Sequence, residues 1–375
     1  IMLESVVADL LNRFLGDYVE NLDRSQLKLG IWGGNVALEN LRIKENALSE
    51  LNVPFKVKAG QIDKLTLKIP WKNLYGDAVV ATLEGLFLLV VPGASIKYDA
   101  QKEEKSIQET KQRELLRIEE ALQKAADKDI PKDAKKDTFM EKLLTQVIKN
   151  LQIKITDIHI RYEDDITDAK VPVSLGVTLS ELSLQTCNES WKPCILNEAT
   201  KIIYKLVRLD SFSTYWNVKS KLYYRKPRED ILTRQCSSKY LGLTKSRAIP
   251  GQYDKFIQVF KPVNASAKLY INPLAEMELK TPKIDWIMEV QNVAIEVTKP
   301  QYLSFMDLLE SVDYMVRNAP YRKYRPQLSL QEDTKQWWLY AINSILEVHI
   351  KRRTHMWSWN NIAKHRQNLK MYKNA

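Results

Sequence analysis

The sequence predicts an α+β chain that is mostly β: a long bent antiparallel sheet with capping helices at the N-terminus and between sheet segments. Three observations carry this prediction. Aliphatic and polar residues alternate with period two along much of the chain, as in a sheet with one dry and one wet face. Helical periodicity is confined to a few segments and does not follow each strand, as a parallel βαβ fold requires. The apolar phase also slips by one residue inside several strands, always across two mostly polar positions.

The elements follow in order. Leu3, Val6, Val7, Leu10, Leu11, Phe14, Leu15, Tyr18 and Val19 recur at helical spacing against Glu4, Asp9, Asn12, Arg13 and Asp17. Residues 2–22 thus read as an amphipathic helix, packed on a core or, alternatively, plugging a cavity or touching a membrane. Strands are marked by Leu27, Leu29 and Ile31, by Leu65, Leu67 and Ile69, by Leu151, Ile153 and Ile155, and by Val173, Leu175, Val177 and Leu179. The run 79–91 is apolar on both faces and reads as the best-covered strand. A charged segment, 99–138, interrupts the strands; its part 103–126 is rich in helix formers with i,i+4 charge pairs, and 128–137 reads as mobile. A loop near 225–252 mixes basic residues, Ser and Pro. Helices are expected at 300–318, 337–346 and 356–371, the last basic and Trp-bearing. The expected organisation is a helix and first sheet segment (2–98), the charged insertion (99–138), a second sheet segment (139–298) and a helical segment with a basic tail (299–375) that continues into a longer rod.

The phase slips fall at Glu39-Asn40, between Leu38 and Leu41; at Glu84-Gly85, between Leu83 and Leu86; at Thr156-Asp157, between Ile155 and Ile158; at Ser180-Glu181, between Leu179 and Leu182; and at Gln291-Asn292, between Val290 and Val293. A strand keeps one dry face through such a slip only if an extra residue is absorbed, and a β-bulge does this while bending the strand. The alternative is a hairpin turn at each pair. Glu84-Gly85 suits a turn; Ser180-Glu181 and Glu39-Asn40 do not. Bulges aligned across neighbouring strands would fold the sheet into a trough.

The strands supply more apolar face than the helices obviously cover. Three covers remain open: a second sheet, as in a sandwich or barrel, a partner chain, or an apolar ligand. Composition narrows the chemistry. The 375 residues are 45% hydrophobic and 27% charged, too apolar for a disordered chain and too polar for the membrane interior. Only 11 glycines argue against Gly-rich nucleotide loops. The net charge is +11, with no acidic residue from 348 to 375, which fits an anionic membrane, acidic partners or nucleic acid.

The four histidines form no HExxH motif and no zinc spacing, and His159, alternating with Ile158 and Ile160, reads as a wet-face residue. The cluster Glu163-Asp164-Asp165 lacks the glycine and terminal Glu of a calcium loop and reads as a solvated loop end, so no metal is expected. Without a nucleophile, P-loop or dinucleotide motif, no enzyme and no cofactor are expected. Trp357 and Trp359 among basic residues would suit single-stranded nucleic acid, but the rest of the chain is not basic enough for a phosphate-tracking groove, and nucleic acid is not expected as a partner. Three cysteines without metal spacing (Cys187, Cys194, Cys236) read as reduced thiols of a cytoplasmic protein, and no apolar run approaches the ~18 residues of a membrane span.

Longer words are more specific. The opening Leu3-Glu4-Ser5-Val6-Val7 and Leu10-Leu11-Asn12-Arg13-Phe14-Leu15-Gly16, then Leu29-Gly30-Ile31-Trp32, Ile69-Pro70-Trp71-Lys72-Asn73-Leu74-Tyr75 and residues 149–165, resemble the chorein N-terminal region of the vacuolar protein sorting-associated protein 13 family. So do 299–315, 320–326, Trp337-Trp338 and Trp357-Ser358-Trp359, and 86–99 and 313–320 are most similar to the C branch of that family. Residues 128–137 are shorter than that branch implies. The resemblance implies a bridge-like lipid transfer protein: a rod of bent β-sheet units with a continuous hydrophobic groove, carrying glycerophospholipids as cargo with little headgroup selectivity. It implies a peripheral membrane protein whose N-terminal end faces the endoplasmic reticulum at contacts with late endosomes, lysosomes or lipid droplets, with organelle receptors or scramblases as partners. Under that reading, the alternation names the groove lining: Leu27, Leu29, Val36, Leu38, Leu41, Leu65, Leu67, Leu83, Leu88, Ile153, Ile155, Ile158, Ile160, Val173, Leu175, Val177, Leu182, Leu184, Leu269, Val290, Val293 and Ile295. The alternative for each is a sealed protein core, in a chain that tethers membranes as a structural scaffold.

Overall fold

The computed structural model describes residues 15, 16, 18–20, 34–48, 51, 53–70, 72, 73, 76–93, 100–126, 149–196, 202–232, 257–272, 282–326, 328–351, 354 and 357–374. They fall into two compact units, one within Ile1–Ile96 and Gln108–Leu309, the other within Lys97–Ile107 and Glu310–Ala375.

The first unit is built on an eight-stranded open sheet whose spatial order is its sequence order: β1 (Asn35–Arg42), β2 (Phe55–Lys68), β3 (Val80–Pro92), β4 (Gln152–Asp164), β5 (Val173–Cys187), β6 (Ile203–Val218), β7 (Gln258–Ile271) and β8 (Ile284–Val290). Helix α1 (Ala100–Ala126) falls between β3 and β4, the short α2 (Arg228–Leu232) between β6 and β7, and α3 (Lys299–Asn318) follows β8. The predicted mostly-β α+β class is what the chain adopts. One pairing differs from the expected antiparallel sheet: β3 and β4 run parallel. Parallel neighbours need a long crossover, and the segment between them, which contains α1, is long enough to provide one. The central β3 ends in buried Phe87, Leu89, Val90 and Val91, as its two-faced apolar run predicts. The predicted helix 2–22 and strand at Leu27, Leu29 and Ile31 lie outside the described residues, apart from Leu15, Gly16, Tyr18, Val19 and Glu20; Val19 bridges Ile43 at the end of β1.

The phase slips align. The register on either side places Asn40 opposite Asp63, Asp63 opposite Gly85, Gly85 beside Asp157, Asp157 opposite Ser180 and Ser180 opposite Ser211. The row continues through Asn264, whose Oδ1 accepts from Ser211 N at 2.8 Å and whose carbonyl accepts from Gln291 N at 3.0 Å. Within it, Asn40, Asp157 and Ser211 have φ of 54°, 55° and 54°, and Gly85 has φ of 71°. An αL residue bends its strand and absorbs the slip; because neighbouring strands slip at the same place, the register survives and the sheet bends along one line. Glu84-Gly85 is therefore a hinge inside β3, not a turn.

Alternation then sorts the side chains. Beyond one side of the hinge row, the polar face carries exposed ion pairs, Lys64–Glu39 at 3.5 Å and Lys154–Glu181 at 3.0 Å. On the other side that face is covered, which corrects two expectations. His159 is buried, not wet, with Nε2 2.9 Å from the Tyr215 hydroxyl. Glu163 and Asp164 are buried, not a solvated loop end. The cover is residues 219–232, which leave β6 and run back across β5, β4, β3 and β2 to β1. Ser174 Oγ donates to Ser220 Oγ at 2.7 Å, and Arg161 Nη2 donates to the Lys221 carbonyl at 3.0 Å. Glu163 Oε2 accepts from the Tyr223 and Tyr224 amides at 2.7 and 2.9 Å, while Oε1 accepts from Arg161 Nε at 2.6 Å. Ile231 and Leu232 pack on Ala59, Phe87 and Leu89. At the far end, Arg228 Nη2 donates to the Ile43 carbonyl at 2.6 Å, and Arg42 makes a two-pronged pair with Glu229 at 2.8 and 3.0 Å.

In the second unit α4 (Thr334–Ile345) is capped by Asp333, which accepts from the Gln336 amide at 3.0 Å, and Trp337 Nε1 donates to the Leu328 carbonyl at 3.0 Å. The predicted basic helix is α5 (Trp359–Asn374), and Trp357, Trp359 and Tyr372 are exposed.

Candidate functional site

On the other face, directly paired residues form apolar rows running across the strands. One crosses the whole sheet: Leu38, Leu65, Leu83, Ile155, Leu182, Leu209, Ala265 and Val290. A second reads Val36, Leu67, Ala81, Ile153, Leu184, Val207, Ala267 and Met288. Beyond the hinge, Leu41, Ile62, Leu86, Ile158 and Leu179 form a third. A fourth joins Leu88, Ile160, Val177, Thr214, Phe260 and Ile295, and a fifth joins Val57, Val90, Tyr162, Leu175 and Trp216. Side chains opposite one another in register share a face. Every described residue of the predicted lining set except Val173, Leu269 and Val293 falls in these rows; Val173 extends the Leu175 side of β5, and Leu269 pairs with Trp286 beside the Met288 row. Val293 follows β8 across Gln291. Leu27 and Leu29 lie outside the described residues.

The face is not uniformly covered. At the β1 end, Val36, Leu38 and Leu41 are at most 5% exposed. They belong to one packed cluster with Ile43, Ile62, Ile69 and Val79, against which Leu15, Leu48, Leu65, Leu67, Leu83, Leu88 and Leu151 rest. Residues from both sides of the hinge share this cluster, so the apolar packing is continuous across the hinge row. From β2 onward, Leu65, Leu67, Leu83, Leu88, Ile153, Ile155, Ile158, Ile160, Leu175, Val177, Leu182, Leu184 and Leu269 are half-exposed, with Tyr162, Val173, Leu179 and Trp216 buried among them. At the last strand, Val290, Val293 and Ile295 are 44%, 54% and 65% exposed. The apolar surface thus passes from sealed at β1 to open at β8.

Polar groups close its ends. Lys205, on the apolar side of β6, turns its Nζ to the carbonyls of Lys149 and Leu151 and to Thr186 Oγ1 at 2.7, 3.0 and 2.7 Å; burial lowers its pKa to about 8. At the opposite strand ends, Gln301 at the start of α3 donates to the Trp216 carbonyl at 2.8 Å, and Phe305 meets the Trp216 ring edge-on at 5.7 Å. The acidic cluster is occupied with structure: Asp164 accepts from Ile166 N at 2.7 Å and Thr167 Oγ1 at 2.6 Å, and Asp165 accepts from the Tyr224 hydroxyl at 2.7 Å.

The lining set lacked all of β6. Val207 and Leu209, then Phe212, Thr214 and Trp216, slip phase across Asp210-Ser211 as the other strands do. That signal was present, broken up by Lys205 and Thr214.

The chain matches the VPS13-like family N-terminal region over residues 2–375. It belongs to that family. It is 65% identical over 418 residues to intermembrane lipid transfer protein VPS13C of Homo sapiens, covering 100% of this chain and 11% of the relative. To intermembrane lipid transfer protein VPS13A of Mus musculus it is 52% identical over 373 residues, covering 100% of this chain and 12% of the relative. To VPS13D of Homo sapiens, also named an intermembrane lipid transfer protein, it is 29% identical over 365 residues, covering 96% and 8%. Within the VPS13-like family the chain is closer to the C member than to A or D, and it spans about a tenth of the length of these relatives. Among the described residues, no helix is long and apolar enough to cross a membrane.

Proposed function

We propose that the apolar face of the sheet binds the acyl chains of glycerophospholipids and guides them across the strands, as one part of a longer bridge-like protein that moves lipid between organelle membranes. The observation that supports this most is the set of apolar rows running across the strands of a sheet hinged along one line, with most of their predicted lining residues half-exposed from β2 onward and exposed at β8. A large apolar surface of this kind, left open in a water-soluble domain, marks an interaction site. The relatives' shared designation as intermembrane lipid transfer proteins fits the same use.

Magnitudes say why such a surface speeds transfer without any reaction. Each methylene moved out of water contributes about 0.8 kcal/mol, so a sixteen-carbon chain contributes about 13 kcal/mol. A bilayer lipid faces a barrier of that order in crossing water, and a face that replaces most of those contacts lowers it. Headgroups stay in solvent at the open side, so the selectivity is for chains rather than for headgroups. The packed cluster around β1 favours a sealed protein core there, as a tether would have throughout; the lipid path accordingly lies beyond β1, where Leu65, Leu67, Leu83 and Leu88 are half-exposed like their neighbours on β4. The chain then sits at contacts between the endoplasmic reticulum and late endosomes, lysosomes or lipid droplets as a peripheral protein, with its N-terminal end toward the endoplasmic reticulum and receptors or scramblases as partners.

Two measurements test this. Protein purified from cells carries phospholipid in native mass spectrometry; a lipid-free preparation whose apolar face is dry and filled would overturn the reading. The triple variant Ile155→Glu, Ile158→Glu, Leu175→Glu puts charges on half-exposed sites, so the chain stays folded while transfer between liposomes drops roughly tenfold or more, because an unpaired charge is costly in an apolar setting. Unchanged transfer rules these residues out of the path.

A further inference from the structure

We propose that residues 219–232 form an external clamp that fixes the strand-to-strand curvature of the sheet from β1 to β6 on its side of the hinge row, setting from the polar face the shape of the apolar face behind it. The functional half of this statement rests on the proposed lipid path; the mechanical half does not.

The clamp touches the strands one after another, in the reverse of their order along the chain. It starts at the end of β6, lies over β5 and β4, packs on β3 and β2, and ends paired through Glu229 with Arg42 of β1. Five inter-strand steps of about 4.8 Å separate β6 from β1, so one short segment couples strands roughly 24 Å apart. Neighbouring strands constrain only one another through backbone hydrogen bonds. An open sheet can therefore change its twist and curvature by a small amount at each strand-to-strand step, and such changes accumulate across it. A segment fixed at both ends of that span opposes their sum.

Its attachments are strong in the middle and at the far end. The middle is the Arg161–Glu163 pair, both 0% exposed, which serves the clamp backbone directly: Glu163 accepts two clamp amides and Arg161 donates to a clamp carbonyl. A buried pair of this kind does little for net stability against an apolar replacement, and here it matches the backbone polarity of one particular segment. The far end combines buried Ile231 with the exposed Arg228–Glu20 and Arg42–Glu229 pairs.

The test releases the far end without touching the apolar face. Spin labels carried by a non-canonical keto amino acid at positions 39 and 208, on exposed parts of β1 and β6, report their separation by pulsed electron resonance while Cys187, Cys194 and Cys236 stay unlabelled. In the variant Arg228→Ala, Ile231→Ser, the distance distribution is expected to broaden and its mean to lengthen, with circular dichroism unchanged; Glu163→Gln, which keeps the side-chain shape, produces a smaller change in the same direction. Bound phospholipid per chain, read by native mass spectrometry, shifts with the distance. If hydrogen exchange shows the amides of 221–232 freed and the distribution matches the parent, the clamp is overturned. If the distance changes and neither protein carries lipid, the clamp stands and the proposed lipid path falls.

Discussion

Burial holds the His159 imidazole neutral: its pKa is lowered from 6.5 to about 3 by loss of solvent and, secondarily, by the Arg161 guanidinium. In the unfolded chain the ring titrates near 6.5. Between those values the unfolded chain binds a proton that the native chain does not, so this group makes stability rise with pH across the window and fall as pH drops through it, at about 1.4 kcal/mol per unit. Denaturant unfolding at about pH 7 and about pH 5 should show a loss roughly 2 kcal/mol larger in the parent than in His159→Gln. Gly176 makes a second residue-scale prediction. It lies opposite Tyr215 in register, and a Cβ there would sit 2.1 Å from the Tyr215 ring. Gly176→Ala should cost about 1–3 kcal/mol by overpacking, against little for Gly16→Ala, where nothing lies within 4 Å; the same denaturant curves measure both. His159 and Glu163 were misread as wet because local alternation reports which face a residue occupies and not what covers that face. The covering segment lies about sixty residues away, and its second half falls in the 225–252 stretch whose mixture of basic residues, Ser and Pro reads as an ordinary loop.

At the scale of an element, the hinges were legible because a slip in phase inside one strand leaves few physical solutions. Five slips were visible, and the structure brings their positions into one row with Asp63, Ser211 and Asn264. What composition concealed was β6, where Lys205, Asp210 and Thr214 interrupt the apolar pattern; Lys205 is a polar stopper at one end of the apolar face. The parallel β3–β4 step was equally hidden, since a strand's direction leaves no mark on its alternation. The hinge conformation itself can be tested. Asp157 has φ of 55°, where glycine sits without strain and a β-branched residue does not. Asp157→Gly should leave stability within about 1 kcal/mol, and Asp157→Val should cost roughly 1–3 kcal/mol, read as the shift in thermal unfolding midpoint. Equal effects from the two would mean that the bend does not depend on this backbone angle.

Over the whole molecule, most of the described residues that the alternation puts on the dry face pair into rows, a relation that no single strand contains. Pairing converts separate alternations into continuous apolar bands, and only the assembled sheet shows that these are packed at β1 and bare at β8. The last strand carries that gradient to its limit. Ile284, Trp286, Ile287 and Met288 are between 52% and 62% exposed, although they point alternately to both faces, and among the described residues β8 has no partner on its outer side. An unprotected, oily strand margin is adhesive. In dilute buffer the isolated chain should therefore pair margin to margin, its apparent mass rising with concentration in sedimentation runs. Ile287→Lys, a charge in the middle of β8, should hold it monomeric, as gatekeeper residues do elsewhere.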